Sequence, residues 1–200
     1  DLLSHEKDIL FKCREHYQAL SSGLPLFLRS VRWNRPVQVH EVYKMLKNWA
    51  PMDPEDAICL LDAKFPDDRV RGYAVSQISK LSDDKIALYM IQFAQAILYE
   101  EQHLSPLAET LIERAVKNPC VVGHSFFWAL KSNLHMKPSY ERYSILLEQF
   151  LLLCGKFKEE INIQSKVNNI LAQVNEKIYD MRNKEKMSWD KIKPKAKPLL

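Results

Sequence analysis

The sequence contains few glycines. Only four occur among its 200 residues, at Gly23, Gly72, Gly123 and Gly155. Phosphate-binding loops and all-β folds with many tight turns both need several glycines where the backbone bends sharply. The scarcity therefore disfavours both kinds of structure and favours a chain built mainly of helices.

Cysteines are also few, and they lie far apart. Cys13, Cys59, Cys120 and Cys154 include no pair at the short spacing of a metal site or a dense disulfide framework, so we expect reduced thiols buried in the core. No apolar run approaches the roughly 20 residues needed to cross a bilayer, and no charged-then-apolar leader opens the chain. These absences predict a soluble cytoplasmic protein.

Positive charge is concentrated at the end of the chain. The net charge is +4, but residues 181–200 hold seven basic and two acidic side chains, which leaves the rest of the chain at −1. A nucleic-acid module carries its positive charge on a folded face between stacking aromatics, so no nucleic-acid partner is expected. Residues 182–200 are predicted to be a basic linker broken by prolines, and attraction of its lysines to anionic lipid is the alternative.

The segment "KFPDDRVRGYAV", residues 64–75, is predicted to open a helix. Asp67 fits the N-cap position, and Pro66 separates the helix from the segment before it. Apolar positions then follow helical spacing, at Val70, Tyr73, Ala74, Ile78 and Leu81. Gly72 lies within the helix, where glycine is unfavourable, and this indicates a close contact with a neighbouring helix.

The same start and stop signals recur along the chain and predict further helices. They begin near Pro36, Asp53, Ser82, Ser105, Gly123, Pro138 and Phe157, the last running to about Met181. The helix after Ser82 is apolar nearly all round and should be buried on several sides. Successive helices with short joints predict an all-α fold, an α-α superhelix of antiparallel pairs like HEAT or armadillo repeats, over residues 1–181.

No reactive constellation is evident in the sequence. The histidines form no His-Glu-x-x-His motif, and neither a nucleophile elbow nor a phosphate loop is present. His124 lies beside an aromatic cluster and is expected to be a hydrogen-bonded packing residue. The acidic pairs at residues 67–68 and 83–84 are expected to cap helices. We therefore predict no catalytic, cofactor-binding or metal-binding residue.

Four segments together resemble the helical accessory domain of phosphoinositide 3-kinases, most closely class I. They are "VRWN" at residues 31–34, "LLDAKFPDDRVRGYAV" at 60–75, "LSDDKIALYMIQFAQAILYE" at 81–100 and "GHSFFWALKS" at 123–132. The resemblance covers about residues 6–180, in order.

This resemblance implies a parent enzyme that transfers the γ-phosphate of ATP to the inositol 3-hydroxyl of a membrane phosphoinositide. ATP and Mg²⁺ would be held by a kinase domain that this chain lacks, and the linker would lead toward its N-lobe. The accessory domain would be a rigid support for Ras-binding, membrane-binding and kinase domains, in an enzyme recruited to membranes.

The resemblance also assigns structural roles to residues in two segments. The capping Asp followed by Val-Arg is also typical of the second helix of HEAT-like repeats, and that likeness implies that Arg71 makes polar contacts between neighbouring repeats. The other structural positions are Asp67, Val70, Gly72 and Tyr73 in the first segment, and Gly123, His124, Phe126, Phe127 and Trp128 in the second.

The resemblance further implies a regulatory contact at the start of the chain. In relatives that take a regulatory subunit, acidic residues here contact that subunit's Src-homology-2 module. The matching positions are Asp1, Glu6 and Asp8, although Ser4 and its neighbours are less acidic than in those relatives. The alternative is that Glu6 and Asp8 only favour a helix N-terminus.

Two other functions remain compatible with the sequence. One is a stand-alone HEAT-like scaffold whose concave face binds peptides or partner helices. The other is the accessory domain of a phosphatidylinositol 4-kinase.

Overall fold

The fold is all-α, as predicted. A computed structural model describes residues 2–183, and within that range the chain forms eleven α-helices and no β-strand. The helices are α1 (Ser4–Lys12), α2 (Arg14–Tyr17), α3 (Leu24–Ser30), α4 (Pro36–Lys47), α5 (Asp68–Ile78), α6 (Asp83–Leu88), α7 (Met90–Ile97), α8 (Pro106–Lys117), α9 (His124–Lys131), α10 (Lys137–Leu153) and α11 (Phe157–Asn183). Short 3₁₀ turns lie at Ser21–Gly23 and Asp56–Leu61, and a π turn at Pro119–Gly123 precedes α9.

Two of the predicted N-caps are confirmed. The Asp67 carboxylate accepts hydrogen bonds from the backbone N–H groups of Arg69 and Val70, both at 3.0 Å. The Ser105 hydroxyl accepts one from the Ala108 N–H at 3.3 Å. These side chains satisfy amides that have no partner inside the helix, so α5 and α8 begin where the sequence predicted.

The single long helix predicted after Ser82 is wrong. Tyr89 has φ −89° and ψ 7°, which divides this stretch into α6 and α7, and the Ser82 side chain makes no capping hydrogen bond. Tyr89 donates its hydroxyl to a carboxylate oxygen of Glu55 at 2.8 Å, a contact to a distant segment that periodicity does not reveal. Leu88 and Ile91 are 71% and 62% exposed, so the stretch is not buried on all sides.

The helix predicted after Asp53 is also shorter than expected. Only a 3₁₀ turn forms, and the chain becomes extended at Asp62. The Asp62 carboxylate accepts a hydrogen bond from the Lys64 N–H at 3.0 Å. An aspartate that bonds the backbone two residues ahead stabilises a turn in competition with a helix, and Pro66 follows at once.

The chain divides into two compact units, residues up to Leu153 and residues from Cys154. In the first unit, α1 contacts α3, α4 contacts α5, α5 contacts α8, α7 contacts α9, and α8 contacts α10. Its core is apolar, with fully buried side chains at Leu24, Leu28, Val42, Leu60, Val70, Ile86, Phe93, Leu107, Phe126, Leu130 and Phe150. The superhelical arrangement of antiparallel pairs stays a prediction.

The described part of the second unit is dominated by α11. This 27-residue helix ends at Asn183, close to the predicted end at Met181. The predicted domain boundary at residue 181 stays a prediction, and the linker from residue 184 onward lies outside the described residues. No helix within residues 2–183 combines the length and apolar content needed to span a membrane.

The expectation that the thiols are buried in the core is corrected. Cys154 is buried, but Cys59 and Cys120 are exposed and Cys13 is intermediate, so the thiols are not all core residues. Trp33 is 36% exposed. It lies in the turn after α3, where only part of the indole can pack against the helices.

Candidate functional site

A buried ion pair joins α5 to the C-terminal end of α7. Arg71 and Glu100 each have only 2% of the side chain exposed. The Arg71 Nε and Nη2 atoms donate to Glu100 Oε1 at 2.9 and 2.7 Å. This two-pronged contact is charge-assisted and fixes the direction of the guanidinium plane.

The remaining donors of Arg71 are used on backbone carbonyls. Nη1 donates to the Leu61 carbonyl at 2.8 Å and Nη2 donates to the Ala96 carbonyl at 3.0 Å. Both carbonyls lie at ends of helical segments, where backbone acceptors lack partners within the segment. A buried guanidinium is costly unless it is paired and hydrogen-bonded, and here both conditions are met.

A second arginine connects α10 to the same place. Arg142 Nη1 donates to the carbonyls of Ile97 and Glu100 at 2.5 and 2.6 Å. The hydroxyl of the neighbouring Tyr143 donates to the Ala94 carbonyl at 2.6 Å, and burial raises the pKa of Tyr143 to about 12. The end of α7 is therefore held by α5 on one side and by α10 on the other.

A similar contact joins α8 to the start of α6. Arg114 donates through Nε to the Asp83 carboxylate at 2.8 Å and through Nη2 to the Leu81 carbonyl at 2.7 Å. The Asn118 amide donates to the other oxygen of Asp83 at 3.0 Å. Asp83 was expected to cap a helix, and it also anchors a neighbouring one.

The N-cap of α5 is tied to α4. The Tyr43 hydroxyl donates to Asp67 Oδ2 at 2.6 Å, while Oδ1 of the same carboxylate receives the helix amides. The hydrogen bond to Asp67, with burial and the negative charge adding to it, raises the pKa of Tyr43 to about 12. The Arg69 guanidinium carbon lies 4.3 Å from the centre of the Tyr43 ring, within the range of a cation–π contact.

Comparison with known proteins identifies the family of this chain. A family model described as the phosphoinositide 3-kinase family accessory domain, or PIK domain, matches residues 1–163. The chain belongs to this family. The resemblance proposed from the four sequence segments is confirmed at the level of the family.

Named relatives of this PIK domain are phosphatidylinositol 3-kinases. The chain is 37% identical over 173 residues to phosphatidylinositol 3-kinase 2 of Dictyostelium discoideum, a match that covers 86% of this chain. It is 38% identical over 178 residues to the human phosphatidylinositol 4-phosphate 3-kinase C2 domain-containing subunit beta, covering 88% of this chain. The matches span 9% and 11% of these relatives, so the chain corresponds to about a tenth of their length.

Within the PIK domain, Arg71 makes buried polar contacts, and that these contacts join neighbouring repeats stays a prediction. Val70 is fully buried, as a core position should be. Gly72 was expected to allow a close helix contact, but a Cβ built there meets nothing within 4 Å, so that expectation is wrong. The Tyr73 hydroxyl lies 3.3 Å from the Met52 N–H, from which it accepts a hydrogen bond, so this half-buried residue contributes polar as well as apolar contact.

The second predicted segment packs tightly around a glycine. A Cβ at Gly123 would lie 2.7 Å from Phe150 Cζ and 2.9 Å from the Ala115 carbonyl oxygen. Phe126 meets Phe150 edge to face at 5.7 Å between ring centres. The close helix contact expected at Gly72 is therefore found at Gly123.

The aromatic residues that follow Gly123 pack against one another and against His124. Trp128 Nε1 donates to His124 Nε2 at 3.1 Å, so His124 is a hydrogen-bonded packing residue. Phe127 packs edge to face on Trp128 at 5.2 Å, and the Lys131 ammonium lies 5.2 Å from the centre of each ring.

The acidic residues at the start of the PIK domain make local contacts. Glu6 Oε2 accepts a hydrogen bond from the Leu3 N–H at 2.7 Å, at the first turn of α1. Asp8 accepts one from Arg32 Nη2 at 2.7 Å. Asp1 lies outside the described residues. The regulatory contact proposed for these three residues stays a prediction.

Sequence reasoning missed the partners of Arg71. Neither Glu100 nor Arg142 was singled out from the sequence. Glu100 lies 29 residues beyond Arg71 and Arg142 lies 42 beyond Glu100, so no local pattern connects the three. A usable signal was a valine-arginine step just inside a capped helix, because an arginine at a core-facing position requires a buried acceptor.

Proposed function

We propose that this PIK domain is a non-catalytic scaffold in a phosphatidylinositol 3-kinase, closest to class I. The parent enzyme transfers the γ-phosphate of ATP to the inositol 3-hydroxyl of a membrane phosphoinositide. The domain holds the Ras-binding, membrane-binding and kinase domains in a fixed relation. The names of its relatives support 3-kinase over 4-kinase activity in the parent.

The observation that carries this proposal is the network of Arg71, Glu100 and Arg142. Arg71 and Glu100 join α5 to the end of α7 by buried hydrogen bonds, and Arg142 joins α10 to the same helix end by partly buried ones. Sliding one helix past another would leave buried polar groups without partners, which costs about 1 to 3 kcal/mol for each group. Such a unit resists bending and can transmit a change at one surface to another.

ATP and Mg²⁺ belong to the kinase domain of the parent in this proposal. Within residues 2–183 no three His, Cys, Asp or Glu side chains are grouped so that they could hold a metal ion. No step of phosphoryl transfer is assigned to the described residues.

The regulatory part of the proposal concerns the first helix. We assign Asp1, Glu6 and Asp8 to a surface that contacts a regulatory subunit, in a cytoplasmic enzyme that is recruited to membranes. Glu6→Lys should raise basal lipid kinase activity of the enzyme purified with its regulatory subunit, because a repulsive charge replaces an attractive one. Unchanged activity in that complex would remove this contact from the proposal.

The scaffold role is tested in the full-length parent enzyme. Wild-type enzyme incubated with ATP and phosphatidylinositol, or its phosphates, should yield a 3-phosphorylated product. Arg71→Met should reduce that activity on vesicles while binding of a fluorescent ATP analogue to the kinase domain stays intact, because the kinase domain is displaced and not damaged. The exposed variant Lys117→Met serves as the matched control.

Two results would contradict the scaffold proposal. A parent enzyme from which residues 1–181 have been deleted, and which still phosphorylates lipid at the wild-type rate, does not need the domain for geometry. A product phosphorylated at the 4-hydroxyl would instead assign the parent to the phosphatidylinositol 4-kinases.

A further inference from the structure

Two adjoining clefts open around Trp33 on the first compact unit. One encloses about 580 Å³ and the other about 270 Å³, and both are lined by Lys7, Val31 and Trp33. Arg32 also lines the larger cleft, and Arg29 and Lys64 line the smaller one. Four cationic side chains from α1, α3, the turn after α3 and the loop before α5 therefore surround one exposed indole.

The described residues that line these clefts include no carboxylate. The two nearest acidic side chains of α1 are already engaged, Glu6 with the Leu3 N–H and Asp8 with Arg32. Within residues 2–183 the ammonium groups of Lys7 and Lys64 form no ion pair. Lys7 and Lys64 consequently present positive charge that no carboxylate of the described part of the chain pairs with.

The turn that carries Trp33 is held in place before any partner arrives. The Arg32 N–H donates to the Gln38 side-chain oxygen at 2.8 Å, and the Arg35 N–H donates to the Arg32 carbonyl at 2.9 Å. The Arg32 guanidinium also donates to the Ser4 hydroxyl at 2.9 Å, which ties the turn to α1. A preorganised turn loses little conformational entropy on binding.

We propose that these clefts bind an acidic polypeptide segment bearing one apolar or aromatic side chain. That side chain packs on the Trp33 indole and the buried Val31, and carboxylates on either side of it pair with Lys7 and Lys64. The positive charge of these two lysines attracts the segment. The partner proposed for these clefts is acidic, whereas a partner attracted by the acidic residues at the start of α1 would be basic.

The shape of the surface favours a polypeptide over a lipid membrane. A bilayer surface attracts cations that project outward, whereas Lys7 and Arg32 are partly buried and line concave clefts. Concave sites that combine apolar and charged side chains are typical of peptide and ligand recognition. Binding measurements with a peptide and with anionic vesicles distinguish these two sources of negative charge.

Binding can be measured with the full 200-residue chain and without any kinase assay, so the result does not depend on the proposed lipid kinase function. The probe is a short fluorescein-labelled peptide of aspartates and glutamates around one phenylalanine. Fluorescence anisotropy should show saturable binding that weakens as sodium chloride is raised, because salt screens the ion pairs. A peptide with asparagine and glutamine in place of the acids should bind at least about tenfold more weakly.

Substitutions at the clefts give the decisive comparison. Lys7→Glu with Lys64→Glu should weaken peptide binding by about tenfold or more, since two attractions become repulsions. Lys12→Glu with Lys44→Glu changes the net charge by the same amount at exposed positions that line neither cleft, and it should leave binding unchanged. Equal affinity of both double variants for the peptide would overturn the proposal.

Trp33 supplies an independent readout. In the wild-type chain, addition of the unlabelled peptide should change the tryptophan fluorescence, and Trp33→Phe should abolish that change while retaining most of the affinity. A change that persists in Trp33→Phe would place the peptide elsewhere and overturn the proposal. Binding to phosphatidylserine vesicles, without binding to the peptide, would identify a membrane surface and overturn it as well.

Discussion

Two ion pairs of this domain differ sharply in their exposure to solvent. Arg71 and Glu100 are each 2% exposed, whereas Lys117 and Glu113 are 67% and 63% exposed on the surface of α8. The buried pair has given up its hydration and depends on a complete set of protein partners. Water and dissolved ions compete for the charged groups of the exposed pair, so the pair contributes little to stability. The fold therefore depends strongly on the first pair and hardly at all on the second.

The largest loss of stability is expected for a substitution at Glu100. Glu100→Met leaves the Arg71 guanidinium buried without its counter-ion, and we expect the free energy of unfolding to fall by about 3 to 5 kcal/mol. Urea denaturation of the 200-residue chain, followed by circular dichroism, measures this change.

The matched control is the double variant Arg71→Met with Glu100→Met. It removes both charges together, so it should be less destabilised than Glu100→Met alone. If the double variant loses as much stability as the two single variants combined, the two side chains do not act as a pair.

The two glycines on α5 and before α9 provide the next largest contrast. Gly123→Ala places a Cβ 2.7 Å from Phe150 and 2.9 Å from the Ala115 carbonyl, and we expect a loss of about 1 to 3 kcal/mol because the backbone oxygen cannot move aside. Gly72→Ala meets no atom within 4 Å and should gain about 0.5 to 1 kcal/mol through its better helix propensity. Thermal unfolding of both variants checks the difference in sign, and a stabilised Gly123→Ala would contradict it.

Local sequence patterns correctly predicted the features that short-range interactions control. The N-caps at Asp67 and Ser105 and the all-α class follow from short-range hydrogen bonding and periodicity. The break at Tyr89 and the turn at Asp62 were missed because each is decided by a competing polar contact of one side chain. The length of α11 was anticipated because its apolar periodicity continues without a proline.

The candidate site was predictable only in part. Arg71 was found from a motif, but Glu100 lies 29 residues beyond it and Arg142 lies 42 residues beyond Glu100, and sequence spacing carries no information about such pairing. The close helix contact was predicted at Gly72 and is found at Gly123 for the same reason. Both glycines lie in helical backbone, and only the packed neighbours show which one needs the space.

A smaller effect is expected at the Asp67 cap. Asp67→Ala removes the acceptor of two helix amides and should cost about 1 kcal/mol. It should also lower the pKa of Tyr43 from about 12 toward its ordinary value, because the hydrogen bond to the carboxylate is the largest cause of the raised pKa. Ultraviolet absorbance during a pH titration, compared with Tyr43→Phe, reports this change.

The pH dependence of the Asp67 variant has a definite sign. In the wild type, folded Tyr43 keeps its proton more tightly than unfolded Tyr43, so this contribution to stability is complete below pH 10 and is lost as the pH rises toward 12. Asp67→Ala should flatten that loss. Asp68→Ala, a neighbouring exposed acid that accepts neither of the two capping bonds, should retain it, and identical profiles for the two variants would contradict the assignment.

The smallest effect is expected at the exposed pair. Lys117→Ala removes a contact with Glu113 one helical turn away, and the free energy of unfolding should change by less than about 0.5 kcal/mol. Raising the salt concentration should shrink even this difference, since salt screens exposed charges. A loss comparable to that of Glu100→Met would mean that burial does not separate the two ion pairs, and the assignment of stiffness to the network around Arg71 would then lose its basis.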